Sequence, residues 1–135
     1  MANAIYPKYK EALIDGASNV ALDSEDVKAI LVDLADYSYS AAHDFLDDVP
    51  AGARVAISAA LDTKTITDGV FDAANFSWTA VTGDPSEAVI IFIDTGVEET
   101  SRLVAFYDTG VTGLPVTPNG GDINVTINAS GLFAL

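Results

Sequence analysis

Residues 87–94 read EAVIIFID, six apolar side chains in unbroken succession between two carboxylates. A half-exposed strand would alternate, so a run of this length without alternation predicts a β-strand covered on both faces. It is also far shorter than the roughly 18 residues needed for a membrane span. The segments around it are patterned for β as well. In ARVAISAAL (53–61) the residues Val55, Ile57, Ala59 and Leu61 share one face, and in NFSWTAV (75–81) Phe76, Trp78 and Ala80 do the same. SRLVAFYD (101–108) reads as the neighbour of the apolar run. GDINVTIN (121–128) alternates through Ile123, Val125 and Ile127. Asp68-Gly69, between TIT and VFD, is a two-residue signal for a tight hairpin whose central residues take positive φ.

Upstream, VKAILVDL (27–34) reads as a strand in which Leu31 and Val32 interrupt alternation, and SYSAAHDFLDDVP (38–50) fits either one or two helical turns, started by Ser40 and ended by Pro50, or an irregular loop. The opening segment is patterned as a short helix. Pro7 suits a first turn, Ile5, Tyr9, Ala12 and Leu13 form a stripe, and Gly16 is a stop. The expected fold is therefore mainly β: an antiparallel sandwich or open barrel of about seven strands with a short N-terminal helix. A chain of 135 residues, half of them apolar, suits a single domain over 1–135, with a helical arm at 1–16 and a β domain at 22–135.

Charge narrows the partners. Twenty acidic against six basic residues give a net charge of -14, and no Lys or Arg follows Arg102. Nucleic acid and anionic membranes would be repelled, whereas a positively charged protein surface or divalent cations would complement such a field. There is no cysteine, which excludes disulfides and thiolate chemistry, and the single histidine, His43, rules out a several-histidine metal centre within one chain. The N-terminal sequence lacks the basic-then-apolar order of a signal peptide, so synthesis in the cytoplasm is expected. On that expectation the N-x-S/T triplets at Asn75, Asn124 and Asn128 are chance matches.

Asp-Thr-Gly occurs twice, at residues 94–96 and 108–110, as in the two lobes of aspartic proteases. If 88–94 and 101–107 pair as an antiparallel hairpin, the two carboxylates stand roughly 20 Å apart, too far to share a proton. Both triplets are read as strand exits in which Asp bonds to the backbone and Gly takes positive φ. HDFLDD gathers His43, Asp44, Asp47 and Asp48 as candidate cation ligands, but the spacing matches no calcium loop, and a solvated acidic turn is the reading adopted. No G-x-S-x-G elbow supports Ser-His-Asp catalysis, and the Gly-rich PNGGD (118–122) lacks the Lys-Ser/Thr of a phosphate loop. Neither an enzymatic activity nor a cofactor is expected.

Several segments form a recognisable set: MANAIYPKYKEALIDG, AHDFLDDVPAGARVA, DGVFDAANFSWTAVTGD and GLPVTPNGGDINVTIN. In this order, over nearly the whole chain, they resemble a family of small structural proteins of tailed bacteriophages. The resemblance implies a virion component, preferably a head decoration (cement) protein that binds the major capsid protein on the outer shell as a homotrimer. The alternative is a tail or head-tail connector component. Under this implication the expected contact residues lie near the ends of the chain: Ile5, Tyr6 and Tyr9, with Phe133 and Leu135. A competing class is a glycan-binding module on the virion, using loops that carry Tyr37, Tyr39 and His43.

Overall fold

The computed structural model describes residues 3–126 and 131–135. The chain is mainly β, and its sheets pack in a sandwich-like arrangement without closing into a barrel among the described residues. Ten strands are present there: β1 (Ala4–Ile5), β2 (Val27–Val32), β3 (Arg54–Ile57), β4 (Thr65–Thr67), β5 (Val70–Asp72), β6 (Phe76–Trp78), β7 (Ala88–Ile93), β8 (Leu103–Tyr107), β9 (Ile123–Val125) and β10 (Phe133–Ala134). One helix, α1 (Pro7–Asp15), follows β1 directly. The main sheet has the order β1-β8-β7-β2-β3, and two smaller sheets have the orders β10-β5-β4 and β6-β9. Every pairing between strands is antiparallel.

The apolar run at 88–93 is the middle strand of the main sheet, and all six of its residues are buried. This is the physical reason for its missing alternation: one face meets the smaller sheets while the other is also covered. β2 beside it is buried at five of six positions. The broken alternation at Leu31 and Val32 coincides with a register shift against β3 at that pair of residues. Pairing between β2 and β3 stops at Ile30–Ile57, and beyond it the carbonyl of Ala29 still accepts the Ser58 backbone N–H at 2.9 Å while side chains also join. The amide of Ala29 donates to Ser58 Oγ at 2.9 Å, and its carbonyl accepts Trp78 Nε1–H at 3.1 Å. Trp78, fully buried on β6, thus fastens the small β6-β9 sheet to the main one.

The hairpin expected at Asp68-Gly69 forms, with φ of 52° and 79° and Thr67 paired to Val70. Both signs are positive, as a type I′ turn requires. Helix α1 starts at Pro7 and ends at Gly16, which adopts φ 67° and caps the carbonyls of Ala12 and Leu13. Segment 38–50 is not helical in the way its pattern allowed. It is a loop with a single turn closed by His43 N–H on the Ser40 carbonyl, then a 3-10 turn at Leu46–Asp48. Pro50 precedes a further 3-10 turn at Ala51–Ala53 rather than ending a helix.

Two expectations need correction. The strand at 53–61 ends at Ile57, which is 47 % exposed because β3 is an edge strand, and only Leu61 of the last two residues on that face is buried. Ala80 leaves the face of Phe76 and Trp78, since its φ of 49° takes it out of extended geometry. The helical arm is joined to the β domain at Ala4 and Ile5, which pair with Phe106 and Ala105 and form one edge of the main sheet. Strand pairing in 121–128 is described only for Ile123–Val125, and Ile127 and Asn128 lie outside the described residues.

Candidate functional site

The two Asp-Thr-Gly triplets leave opposite ends of the β7-β8 hairpin, whose register runs from Val89–Tyr107 to Phe92–Leu103. Asp94 serves the local turn: its Oδ1 accepts Gly96 N–H at 2.9 Å, and Gly96 has φ 86°. Its Oδ2 holds the ammonium of Lys28 at 2.6 Å, and this partner holds the Asp94 carboxyl below the usual range. In the second triplet Gly110 has φ 73°, and the amides of Asp108 and Thr109 both donate to Asn3 Oδ1. The triplets are strand exits, and the hairpin places them too far apart for a carboxylate dyad.

Tyr37, Tyr39 and His43 come together, with Tyr37 buried and the other two partly buried. Tyr6 and Tyr37 hydroxyls lie 2.8 Å apart, and the Tyr37 hydroxyl is 2.8 Å from His43 Nδ1. Tyr6 is 0 % and Tyr37 3 % exposed. Tyr39 stacks between Tyr6 and Phe106, with ring centroids 5.1 and 5.3 Å away. Tyr6 and Tyr37 are therefore core, while Tyr39 and His43 are partly buried beside them. Burial pushes the Tyr37 hydroxyl up to about 12 and the Tyr6 hydroxyl higher still, so both stay protonated at any physiological pH.

His43 is not among the carboxylates of HDFLDD that come together, and its Nδ1 lies 2.8 Å from the Tyr37 hydroxyl. Asp44, Asp47 and Asp48 bring one carboxylate oxygen each within 4.8 Å of one another. Asp48 is occupied in the turn: its Oδ2 accepts Asp44 N–H at 2.8 Å. Burial acts to raise Asp48, but the donated amides of Asp44 and Phe45 outweigh it and hold its carboxyl low, whereas burial and the neighbouring Asp48 raise Asp44. This is the acidic turn expected from the sequence. A second triplet, Asp33, Asp36 and Asp84, has the same spacing and was not legible in the sequence, since the residues come from two distant loops. Asp33 is 5 % exposed, and its Oδ1 accepts Ala35 N–H at 2.8 Å.

The expected contact residues are divided by the fold. Tyr6 and Tyr9 are 0 % and 2 % exposed within their own chain, and Tyr9 donates its hydroxyl to the Val20 carbonyl at 2.8 Å. Their side chains are committed to the core, so they cannot also reach a neighbour without unfolding the N-terminal segment. Ile5 is partly buried on edge strand β1, and Phe133 stacks on Phe71 with centroids 5.5 Å apart. Leu135 alone of the five is largely open, at 64 %. The residue that sequence reasoning missed is Ile66, 51 % exposed on β4. A half-open cavity of about 280 Å³ lies elsewhere, walled among the described residues by Asn3, Phe76, Ile91, Tyr107 and Val125.

No protein-family model matches the chain, and no curated protein matches it.

Proposed function

We propose that this protein is a non-enzymatic structural component of a tailed-bacteriophage virion, and specifically a head decoration protein that binds the major capsid protein on the outer surface of the shell. The observation that carries the proposal is the ordered resemblance of four segments, spread over nearly the whole chain, to that family. The architecture is compatible with it. A protein that adds to a finished shell must arrive as a rigid folded unit, and here the first and last described strands are both tied into sheets by backbone pairing. Its mechanical role is to bridge neighbouring capsid subunits, burying apolar and hydrogen-bonding surface across their seams. A homotrimer at local three-fold positions is part of the same proposal, with the charge of -14 per copy requiring a dry interface or bound cations between copies.

The test is copy number in purified virions, by quantitative mass spectrometry against the major capsid protein. A ratio near unity supports decoration of the head lattice. A ratio of a small fraction overturns it and moves the protein to the tail or the head-tail connector. The glycan-binding reading is disfavoured by the burial of Tyr37 and the stacking of Tyr39.

A further inference from the structure

The small sheet β10-β5-β4 ends in an unprotected edge. Thr65, Ile66 and Thr67 are exposed on both faces, and β4 carries no charge, proline or bulge of the kind that usually blunts an edge. The two-residue turn at Asp68-Gly69 makes Thr67–Val70 a mutually hydrogen-bonded pair, so the next residue, Ile66, directs its N–H and C=O outward. Its side chain is in register with Phe71, and Phe71 with Phe133, so these three share a face. Leu135 donates its amide to the Gly69 carbonyl at 2.9 Å and by alternation points to the same side as Phe133. Phe71 is buried, while Ile66 and Leu135 overhang the core at 51 % and 64 % exposure. The result is an open strand edge that carries one exposed apolar side chain, Ile66, with Leu135 two strands away beyond β5.

The charge around this edge is predominantly negative. Asp62, Asp68 and Asp72 lie on the strands and connections of the hairpin, and β4, β5, β6, β9 and β10 contain no Lys, Arg or His. The nearest base in sequence, Lys64, directs its ammonium to the Glu25 carbonyl. A second copy of this chain would bring the same carboxylates to the same place. We propose that β4 receives an extended segment of a partner protein in which Lys or Arg alternates with β-branched or apolar residues. The added strand bonds through the backbone of Ile66, packs an apolar side chain against Ile66, and sets its cations against Asp68 and Asp72. This inference does not depend on the virion reading, because it concerns the isolated chain.

The experiment titrates the isotope-labelled full chain with a short synthetic peptide of alternating Lys and Val, and with its Glu-for-Lys counterpart, following backbone amide shifts. Saturable shifts confined to 65–72, seen with the Lys peptide and absent with the Glu peptide, are expected. Binding should weaken several-fold as salt rises from about 50 to 500 mM, and by about tenfold in Ile66→Ser. Ile66 is half exposed, so the variant keeps its fold, which an unchanged amide spectrum verifies. Asp68→Asn with Asp72→Asn should remove most of the salt dependence. The proposal is overturned by an absence of shifts, by shifts elsewhere, by equal binding of the Glu peptide, or by concentration-dependent shifts at β4 without peptide, which would make a second copy the occupant.

Discussion

The hydroxyl of Tyr6, at the start of α1, lies 2.8 Å from that of Tyr37, in a loop thirty-one residues later, and Tyr37 in turn reaches His43 Nδ1. Tyr37 is the middle of the chain, so the two hydroxyls are not equivalent. Tyr37→Phe leaves the Tyr6 hydroxyl buried at 0 % exposure without its partner and should cost about 1 to 3 kcal/mol. Tyr6→Phe leaves Tyr37 still bonded to His43 and should cost about 1 kcal/mol. Urea unfolding of the two variants tests the order; equal losses would mean the relay does not exist in solution.

Alkaline unfolding should follow from the same residues. Burial raises Tyr9 and Tyr37 to about 12 in the folded chain, and lifts Tyr107 as well, against an ordinary value of 10.0. The folded state therefore holds protons that the unfolded state releases. Its stability from these groups is complete below pH 10 and is lost as pH rises from there toward 12. Tyrosinate absorbance and circular dichroism recorded together should change in one step. Tyrosine ionisation near pH 10 with the fold intact would contradict this.

The Lys28–Asp94 pair makes the opposite prediction in acid. The Asp94 carboxyl is held low, first by the Lys28 hydrogen bond, so its contribution is present above the model-peptide value of 3.8 and fades as pH falls below it. Each side chain is about a quarter exposed, so the pair is partly screened. Asp94→Asn should lower stability at neutral pH by about 0.5 to 1 kcal/mol and narrow the gap to wild type as pH approaches 2. A gap independent of pH would assign the loss to the turn rather than to the ion pair.

Gly131 is the most constrained glycine described. It has φ 98°, and a Cβ there would stand 2.6 Å from Val70 Cγ1 and 3.0 Å from the Phe71 carbonyl oxygen. Gly131→Ala should detach β10 from β5 while the main sheet stays folded. Hydrogen exchange should then lose protection at Leu132 and Leu135, whose amides donate to Phe71 and Gly69, and keep it in β7. Protection retained at both would show that β5 can move aside.

What the sequence disclosed was carried by residues whose local chemistry has one solution. The unbroken apolar run became the middle strand, Asp68-Gly69 became the hairpin, and Pro7 and Gly16 bounded the helix. Those positions are decided by backbone conformation or by burial on two faces. The two-residue strand β1 was invisible as a strand because two residues have no period, and its pairing is set by a partner a long way off in sequence. Tyr6, Tyr9 and Tyr37 read as contact or recognition residues for a related reason: their burial is set by tertiary packing, which no local pattern carries. The acidic turn at 44–48 was legible, while Asp33, Asp36 and Asp84 meet only through the fold.

The strand order of the main sheet also decides when the molecule can come into being. β2 waits for β7, and β1 at Ala4 waits for Phe106, so no edge-to-edge arrangement of the sheet exists until most of the chain has left the ribosome. Such non-local pairing places folding in the millisecond-to-second range rather than microseconds. During synthesis the nascent chain carries β2 as an unsatisfied apolar strand, and it is then that the fourteen excess negative charges do their service, keeping unfinished copies apart until the sheet can close.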